Sequence, residues 1–314
     1  MIYTPKYFNE FSCRASSCPD SCCRAGWEIP IDAETYDFYK SAGIDVDKNS
    51  YTAPDGDRVF ALREDKSCAF FRPDGLCDIY IKTGGRLCEI CGKYPRFFEE
   101  YDGFTEAGLS VSCPTAAEMI LTRKDDPYKK HIKETDEELF AIDEMLEFLV
   151  RARERAMEMI YSEKDPDDAA KKLYEYGFRL QRLLDWELPA MPGEAEFVPE
   201  DVLDEDALKS VKRFLLTQTE ILTPRWRELL QTPFNARAGT VSERRNYLAY
   251  LTFRYFLKAI NTGNIAAYCK FILLMYRLSQ CICPDYAEAV RLISKELEHN
   301  ADNIREMNIR FLMV

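Results

Sequence analysis

The chain has 314 residues, 46% of them hydrophobic, and a formal net charge of −12. That is enough apolar material for one large core or two ordinary domains. The acidity (pI near 4.9) repels a phosphate backbone and argues against nucleic acid; it either draws in a lysine-bearing partner or serves solubility alone. No run of about 18 apolar residues is expected to span a membrane. Met1-Ile2-Tyr3-Thr4-Pro5-Lys6-Tyr7 lacks a basic segment followed by an apolar stretch, so no secretory signal and a cytoplasmic location are expected.

Residues 1–125 are rich in Cys, Gly, Pro and aromatics, with short apolar runs. Arg58-Val59-Phe60-Ala61-Leu62 and Leu109-Ser110-Val111 predict brief strands, with no alternating strand–helix pattern. A metal can hold such a loop-rich region together where its own core is thin. Beyond about residue 133 the pattern turns helical. Thr135 with Glu138 reads as a capping box, and Leu139, Ile142, Leu146, Leu149 and Val150 follow at helical spacing. A second helix is expected over 166–186 and a loop from Trp186 to Pro199. Helical spacing resumes over 204–230 through Leu208, Val211, Leu215 and Leu222. Another helix runs from Ser242 to about Asn261, and two more are expected before residue 310. The predicted fold is mainly α: an irregular Cys-rich metal-binding N-terminal domain, 1–130, followed by an all-α helical domain, 131–314.

Nine of the 12 cysteines lie in the first 113 residues. They fall as Cys13-x4-Cys18-x3-Cys22-Cys23, Cys68-x8-Cys77, Cys88-x2-Cys91 and a single Cys113 before Pro114. In a reducing compartment this density points to metal or redox chemistry rather than disulfides. Thiolates bind soft metals, and closely spaced pairs close small chelate loops at little entropic cost. Zinc accepts four thiolates, but its usual sites pair two-residue spacings and often use histidine. Here there is one such pair, and His131 and His299 lie outside the cysteine cluster. Adjacent Cys22 and Cys23 suit one tetrahedral ion poorly. They fit better where the two serve different irons, or where one stands behind the ligands. Iron–sulfur ligation is the favoured reading, with zinc and a disulfide framework as the alternatives. The Cys-x3-Cys-x2-Cys spacing of radical adenosylmethionine enzymes is absent, as is the strand–helix alternation of their barrel. Cys269, Cys281 and Cys283 sit in apolar helical sequence and are expected to bind no metal.

Phe11-x-Cys13-x4-Cys18-x3-Cys22-Cys23-x3-Trp27, followed by Ile31-Asp32 and Tyr36, resembles the bacterial flagellin lysine-N-methylase family. So do Cys68-Ala-Phe-Phe, Gly75-Leu-Cys77-x-Ile79, Cys91-x2-Tyr94-Pro95-Arg96 and Leu109-Ser-Val-Ser-Cys113-Pro114. The N-terminal part also looks like the broader group of zinc- or iron-chelating domains. Phe253-Arg254-Tyr255-Phe256 and Ser294-Lys295-Glu296-Leu297-Glu298-His299 extend the resemblance toward the C-terminus. The resemblance implies methyl transfer from S-adenosyl-L-methionine to lysine ε-amines of flagellin, with a [4Fe–4S] cluster near the reaction site. Cys13, Cys18, Cys22, Cys23, Cys68, Cys77, Cys91 and Cys113 carry the implied metal ligation; Cys88 stands outside the pattern.

No Gly-rich strand-to-helix loop supports a Rossmann-type methyltransferase site. Methylation needs a neutral amine, so the site must desolvate the lysine or take its proton. Glu296, Glu298, His299 or a tyrosine are candidates, with Glu298 and His299 preferred. A sulfonium favours aromatic faces, and Trp27, Arg96, Arg254 and Tyr255 are the candidate cosubstrate residues. Each also has a plainer role: core packing for Trp27, a local pair for Arg96, helix packing with one ion pair for Arg254 and Tyr255, and a solvated helix face for Glu298 and His299. A metal-binding module without catalysis and an iron–sulfur redox protein are the rival functions.

Overall fold

The computed structural model describes residues 2–128, 143–185, 205–233 and 237–311. Thr135, Glu138, Leu139, Ile142, His131 and the 186–199 loop lie outside the described residues. A two-residue strand β1 (Ile2–Tyr3) opens the chain, and single 3₁₀ turns at Ala15–Ser17 and Cys22–Arg24 carry the first cysteine segment. Helix α1 (Ala33–Ser41) starts where the Asp32 carboxylate accepts from the Thr35 amide at 2.8 Å. Strands β2 (Ser50–Thr52) and β3 (Arg58–Phe60) form a short hairpin, as the apolar run at 58–62 predicts. Two short helices, α2 (Asp78–Thr83) and α3 (Glu89–Lys93), follow directly after Cys77 and Cys88.

The main N-terminal element is a hairpin of β4 (Arg96–Tyr101) and β5 (Phe104–Leu109), to which β1 adds in parallel to give the order β1-β5-β4. The predicted strand at 109–111 therefore belongs to a longer one that ends at Leu109. Pro114 then opens α4 (Pro114–Leu121), since a proline at the first helical position lacks only an amide that has no partner there anyway.

The remaining elements are α5 (Glu144–Ser162), α6 (Pro166–Leu184), α7 (Glu205–Gln218), α8 (Pro224–Gln231), α9 (Val241–Tyr255), α10 (Ile265–Ile282), α11 (Tyr286–Ile293) and α12 (Ala301–Phe311). The stretch expected as one helix over 204–230 is two, because Pro224 cannot continue a helix and Thr223 caps a new one by accepting from the Trp226 amide. Thr240 and Glu243 form a reciprocal capping box on α9. After α10 there are two further helices, not one, joined by a π-helical turn at Ser294–Glu298. Such turns concentrate at functional sites.

The expectation that no segment is long and apolar enough to cross a membrane is corrected by α10. Its 18 residues have a mean hydropathy of 1.3 and carry only two charges, Lys270 and Arg277. That window is 72% buried inside the protein. It packs on α6 and α9, so its apolarity serves a central core helix wrapped on nearly all sides.

Two cores form. A small one joins Ile31, Tyr39, Ile44, Val46, Phe60, Phe70, Ile79 and Cys88. The large one gathers the C-terminal helices, but it also takes in Tyr7, Phe104, Leu109, Val111, Cys113, Ala116 and Ile120. The β4–β5 hairpin and α4 are thus built into the helical body. A buried ion pair fastens this seam: Arg153 on α5 donates to Glu106 on β5 at 2.6 Å, with both side chains under 5% exposed.

Candidate active site and thiol cluster

The cysteine segments come together from loops that the short N-terminal elements position. The Cys68 amide donates to the Cys23 carbonyl at 2.8 Å, and Cys68 and Cys77 each close a bridged turn, Cys68 opposite Leu62 and Cys77 opposite Phe71. Gly75 has φ +81°, and a Cβ there would sit 3.2 Å from the Ser16 backbone, so glycine lets this turn abut the first cysteine loop. Backbone amides aim at several sulfurs: Ala15 at Cys13 (3.4 Å), Phe70 at Cys68, Ile79 and Tyr80 at Cys77, Thr115 and Ala116 at Cys113. The Cys22 and Cys23 thiols share a hydrogen bond. It holds the Cys22 proton on and lowers Cys23 to about 7, with Ser21 helping. The Cys91 thiol is likewise pushed up by its hydrogen bond with Cys88 and by burial.

Cys22, Cys23, Cys68 and Cys91 line an apolar cavity of about 50 Å³, whose far wall is Trp27 and Tyr94. Behind that aromatic wall lies a polar network. The Trp27 ring lies 4.6 Å from the His299 imidazole, centroid to centroid, and Tyr94 lies 6.0 Å from it. His299 Nε2 hydrogen-bonds Ser112 Oγ at 2.8 Å and Ser110 Oγ at 3.0 Å. Ser110 continues to Ser294 Oγ at 3.1 Å, and Ser294 donates to Glu298 Oε2 at 2.8 Å. Glu298 also accepts from the Tyr250 hydroxyl at 3.0 Å and from Tyr255. The Arg254 Nε stands 3.9 Å away, its guanidinium flat over the Phe97 ring and its other end on Glu99, which Lys258 also holds.

His299 is an exposed residue, yet the protein around its ring lowers its pKa to about 4, chiefly by desolvation, so the imidazole is neutral at physiological pH. Three buried polar atoms beside it have no hydrogen-bond partner: Trp27 Nε1, Arg254 Nε and Glu298 Oε1. Orphaned polar groups gathered at one place mark a spot where a ligand or water completes the network.

Of the sequence-predicted residues, Trp27, Arg254, Tyr255, Glu298 and His299 meet here although up to 272 positions separate them (299 − 27). Tyr255 does so from inside the core, with its ring edge-on to Phe271 at 4.8 Å, where it holds Glu298. Arg96 does not join them: its guanidinium lies over Phe8 and Phe11, at 5.6 and 5.2 Å. Glu296 points elsewhere. Fully buried, it accepts from the Leu222 and Thr223 amides at 2.7 and 2.9 Å and pins the start of α8. Ser110, Ser112, Ser294 and Tyr250 escape sequence reasoning. The signal for the first two is the Ser-x-Ser step directly ahead of Cys113-Pro114, and for Tyr250 its position one turn before Arg254.

Asp20, between Cys18 and Cys22, ties the thiol loops to this network. It pairs with Arg291 on α11 and, at 3.1 Å, with the buried Lys295 of the π turn. Among the described residues no three histidine, cysteine or acidic side chains gather closely enough to hold one metal ion. The residues able to hold a soft metal are the nine N-terminal thiols. Their number, their spread over four loops and the amides aimed at their sulfurs suit a cluster, which distributes its thiolates over several irons, better than a single ion. Cys269, by contrast, is fully buried against Gly177 in the helical core.

No family model and no solved structure matches the chain. Over 138 residues, 40% of its length, it is 27% identical to the flagellar biosynthetic protein FliU of Salmonella muenchen, 79% of which is covered. The same identity and length relate it to the lysine-N-methylases of Salmonella typhimurium and Salmonella choleraesuis, of which it spans 33%. The relatives are thus named for flagellar biosynthesis and for lysine methylation. They agree with the resemblance to the flagellin lysine-N-methylase family carried by the cysteine strings.

Proposed function

We propose that the protein transfers a methyl group from S-adenosyl-L-methionine to lysine ε-amines of flagellin or a similar filament protein, beside an iron–sulfur cluster held by its N-terminal cysteines. A cytoplasmic location goes with this reading. The observation that carries it is the meeting of a neutral, accessible imidazole with a buried, half-satisfied carboxylate and an aromatic wall. A [4Fe–4S] cluster, when bound, supplies a redox-active centre and the cross-link that orders the four loops.

A lysine ammonium reaching the site gives up its proton before it can act as a nucleophile, since its ordinary pKa is about 10.4. Desolvation beside Trp27 and Tyr94 lowers that value. With Nε2–H donating to Ser112, the Nδ1 of His299 is bare and accepts the proton, and Glu298 offsets the imidazolium through Ser110 and Ser294. The amine lone pair then forms the new N–C bond as the S–CH₃ bond breaks, and that electron pair returns to sulfur to leave a neutral thioether. The faces of Trp27 and Tyr94 favour the sulfonium and lose that attraction once it is neutral.

The test incubates the full chain with flagellin and S-adenosylmethionine and reads mass steps of about 14 Da per methyl. His299→Gln and Glu298→Gln are expected to lower turnover about 10²–10⁴-fold with iron content unchanged. Full turnover in both variants overturns the assignment. A brown, iron-loaded protein that neither binds the cosubstrate by calorimetry nor methylates flagellin points instead to a redox or metal-binding module.

A further inference from the structure

We propose that the outer edge of β4 docks the protein substrate, an extended lysine-bearing segment pairing with Arg96, Phe98 and Glu100 as one more strand of the sheet. The proposal rests on the methyl-transfer reading and adds how the substrate is held.

The register fixes which backbone groups face outward. β4 pairs with β5 residue for residue, from Arg96 opposite Leu109 to Tyr101 opposite Phe104, without a bulge. Just beyond that ladder the Ser110 amide donates to the Pro95 carbonyl at 2.8 Å. Antiparallel pairs alternate between bonded and non-bonded, so Phe97, Glu99 and Tyr101 turn their amides and carbonyls toward β5. Arg96, Phe98 and Glu100 turn theirs the other way. β4 is the end strand of the order β1-β5-β4, and among the described elements it packs chiefly on β5. No backbone group among the described residues pairs with the three outward positions. An open edge of this kind accepts a further strand, whose main chain supplies the affinity.

The edge leads into the candidate active site. The Tyr94 amide already donates to the Ile90 carbonyl at 2.9 Å, so an added ladder ends at Arg96. A docked segment leaves the edge there, beside Tyr94. The Tyr94 ring lies 6.0 Å from His299, and its hydroxyl is 3.1 Å from Ser112 Oγ. At about 3.3 Å per residue, a lysine four positions on from the partner of Phe98 comes level with Tyr94.

Charge selects the occupant. Glu100 and Asp102, at the far end of the strand, are exposed and form no ion pair among the described residues. The nearby cations are engaged, Lys93 with Glu89 and Arg96 over the Phe8 and Phe11 rings. Free carboxylates beside a Phe98 that is 41% exposed suit a segment of basic and apolar side chains. A second copy of this chain, at net charge −12, is repelled.

Proline at position 98 removes an outward amide and none of the β4–β5 bonds, a change that edge strands tolerate. The experiment measures flagellin methylation by the full-length protein and its Phe98→Pro and Phe98→Ala variants, with calorimetry for the cosubstrate. Phe98→Pro is expected to raise the KM for flagellin about tenfold, with kcat, cosubstrate affinity and iron content unchanged. Phe98→Ala keeps the amide and is expected to raise KM less. An unchanged KM in Phe98→Pro, or an equal rise in both variants, overturns strand pairing and leaves methyl transfer standing. A native protein that neither binds nor methylates flagellin overturns the methyl-transfer reading and the docking with it. A native dimer that Phe98→Pro splits in size-exclusion chromatography gives the edge to a second copy and overturns the proposal. Where Phe98→Pro fails to fold by circular dichroism, hydrogen exchange on the native protein replaces it: flagellin is expected to slow the Phe98 and Glu100 amides, and unslowed amides overturn the docking edge.

Discussion

His299 makes the sharpest residue-scale case, because its chemistry follows from what crowds it. Its ordinary pKa is about 6.5, and desolvation brings it to about 4 in the folded chain. The unfolded chain therefore takes up a proton first as the pH falls. The neutral imidazole contributes stability that is fully present above about pH 6.5 and is lost as the pH drops through about 4. His299→Gln should flatten the pH dependence of the unfolding midpoint across that window. Equal slopes in both proteins would refute the shift. The acid limb of methyl transfer should likewise lie nearer pH 4 than 6.5 in a pH–rate profile. Glu298 and His299 were legible in the sequence through their terminal motif, as were Arg254 and Tyr255. The serines that join them were not, since a serine's role depends on what folds against it. Arg96 shows the converse: a cation beside a cysteine motif found two phenylalanine faces instead.

At the scale of elements, the β4–β5 hairpin decides where Arg254 stands. A Cβ at Gly108 would collide with the Phe97 ring, the same ring on which the Arg254 guanidinium lies at 3.6 Å. Gly108→Ala should therefore displace Phe97 and weaken cosubstrate binding while leaving iron content intact, by calorimetry and metal analysis. Glu106, one strand pair away, anchors the hairpin to α5. Glu106→Ala leaves Arg153 buried without its partner, a loss of about 3–5 kcal/mol to be read by urea unfolding. The C-terminal helices were largely legible because Leu146, Leu149 and Val150, or Leu208, Val211 and Leu215, recur at helical spacing and are buried. The hairpin was not. Its β5 strand carries Glu106 and Gly108 among its buried positions, so an apolar alternation never forms. The break at Pro224 and the π turn were missed because apolar spacing runs through both.

Taken whole, the molecule does not part cleanly into a metal module and a helical one. Tyr7, Phe104, Leu109, Val111 and Ile120 are buried in the same core as α9 and α10, so a chain cut after residue 130 would expose them all. Such a fragment is expected to be insoluble or to bind the dye ANS strongly. A soluble fragment with full metal content would show the N-terminal part to be autonomous. Asp20→Ala should release the thiol loops from the π turn and lower both metal retention against a chelator and turnover, with the helical core unchanged by circular dichroism. The clamp also sets an order of events during synthesis. Asp20 meets Arg291 and Lys295 across 271 and 275 residues of chain. At about 5–20 residues per second, roughly 15–50 s pass between the emergence of the first cysteines and that of their clamp. Throughout that interval the thiols are nascent and open to copper, zinc and oxidants. On the iron–sulfur reading proposed above, metal is held firmly only once the finished chain closes the clamp, and a ribosome stalled before residue 291 is expected to carry an N-terminal segment that loses metal to a chelator faster than the full chain does.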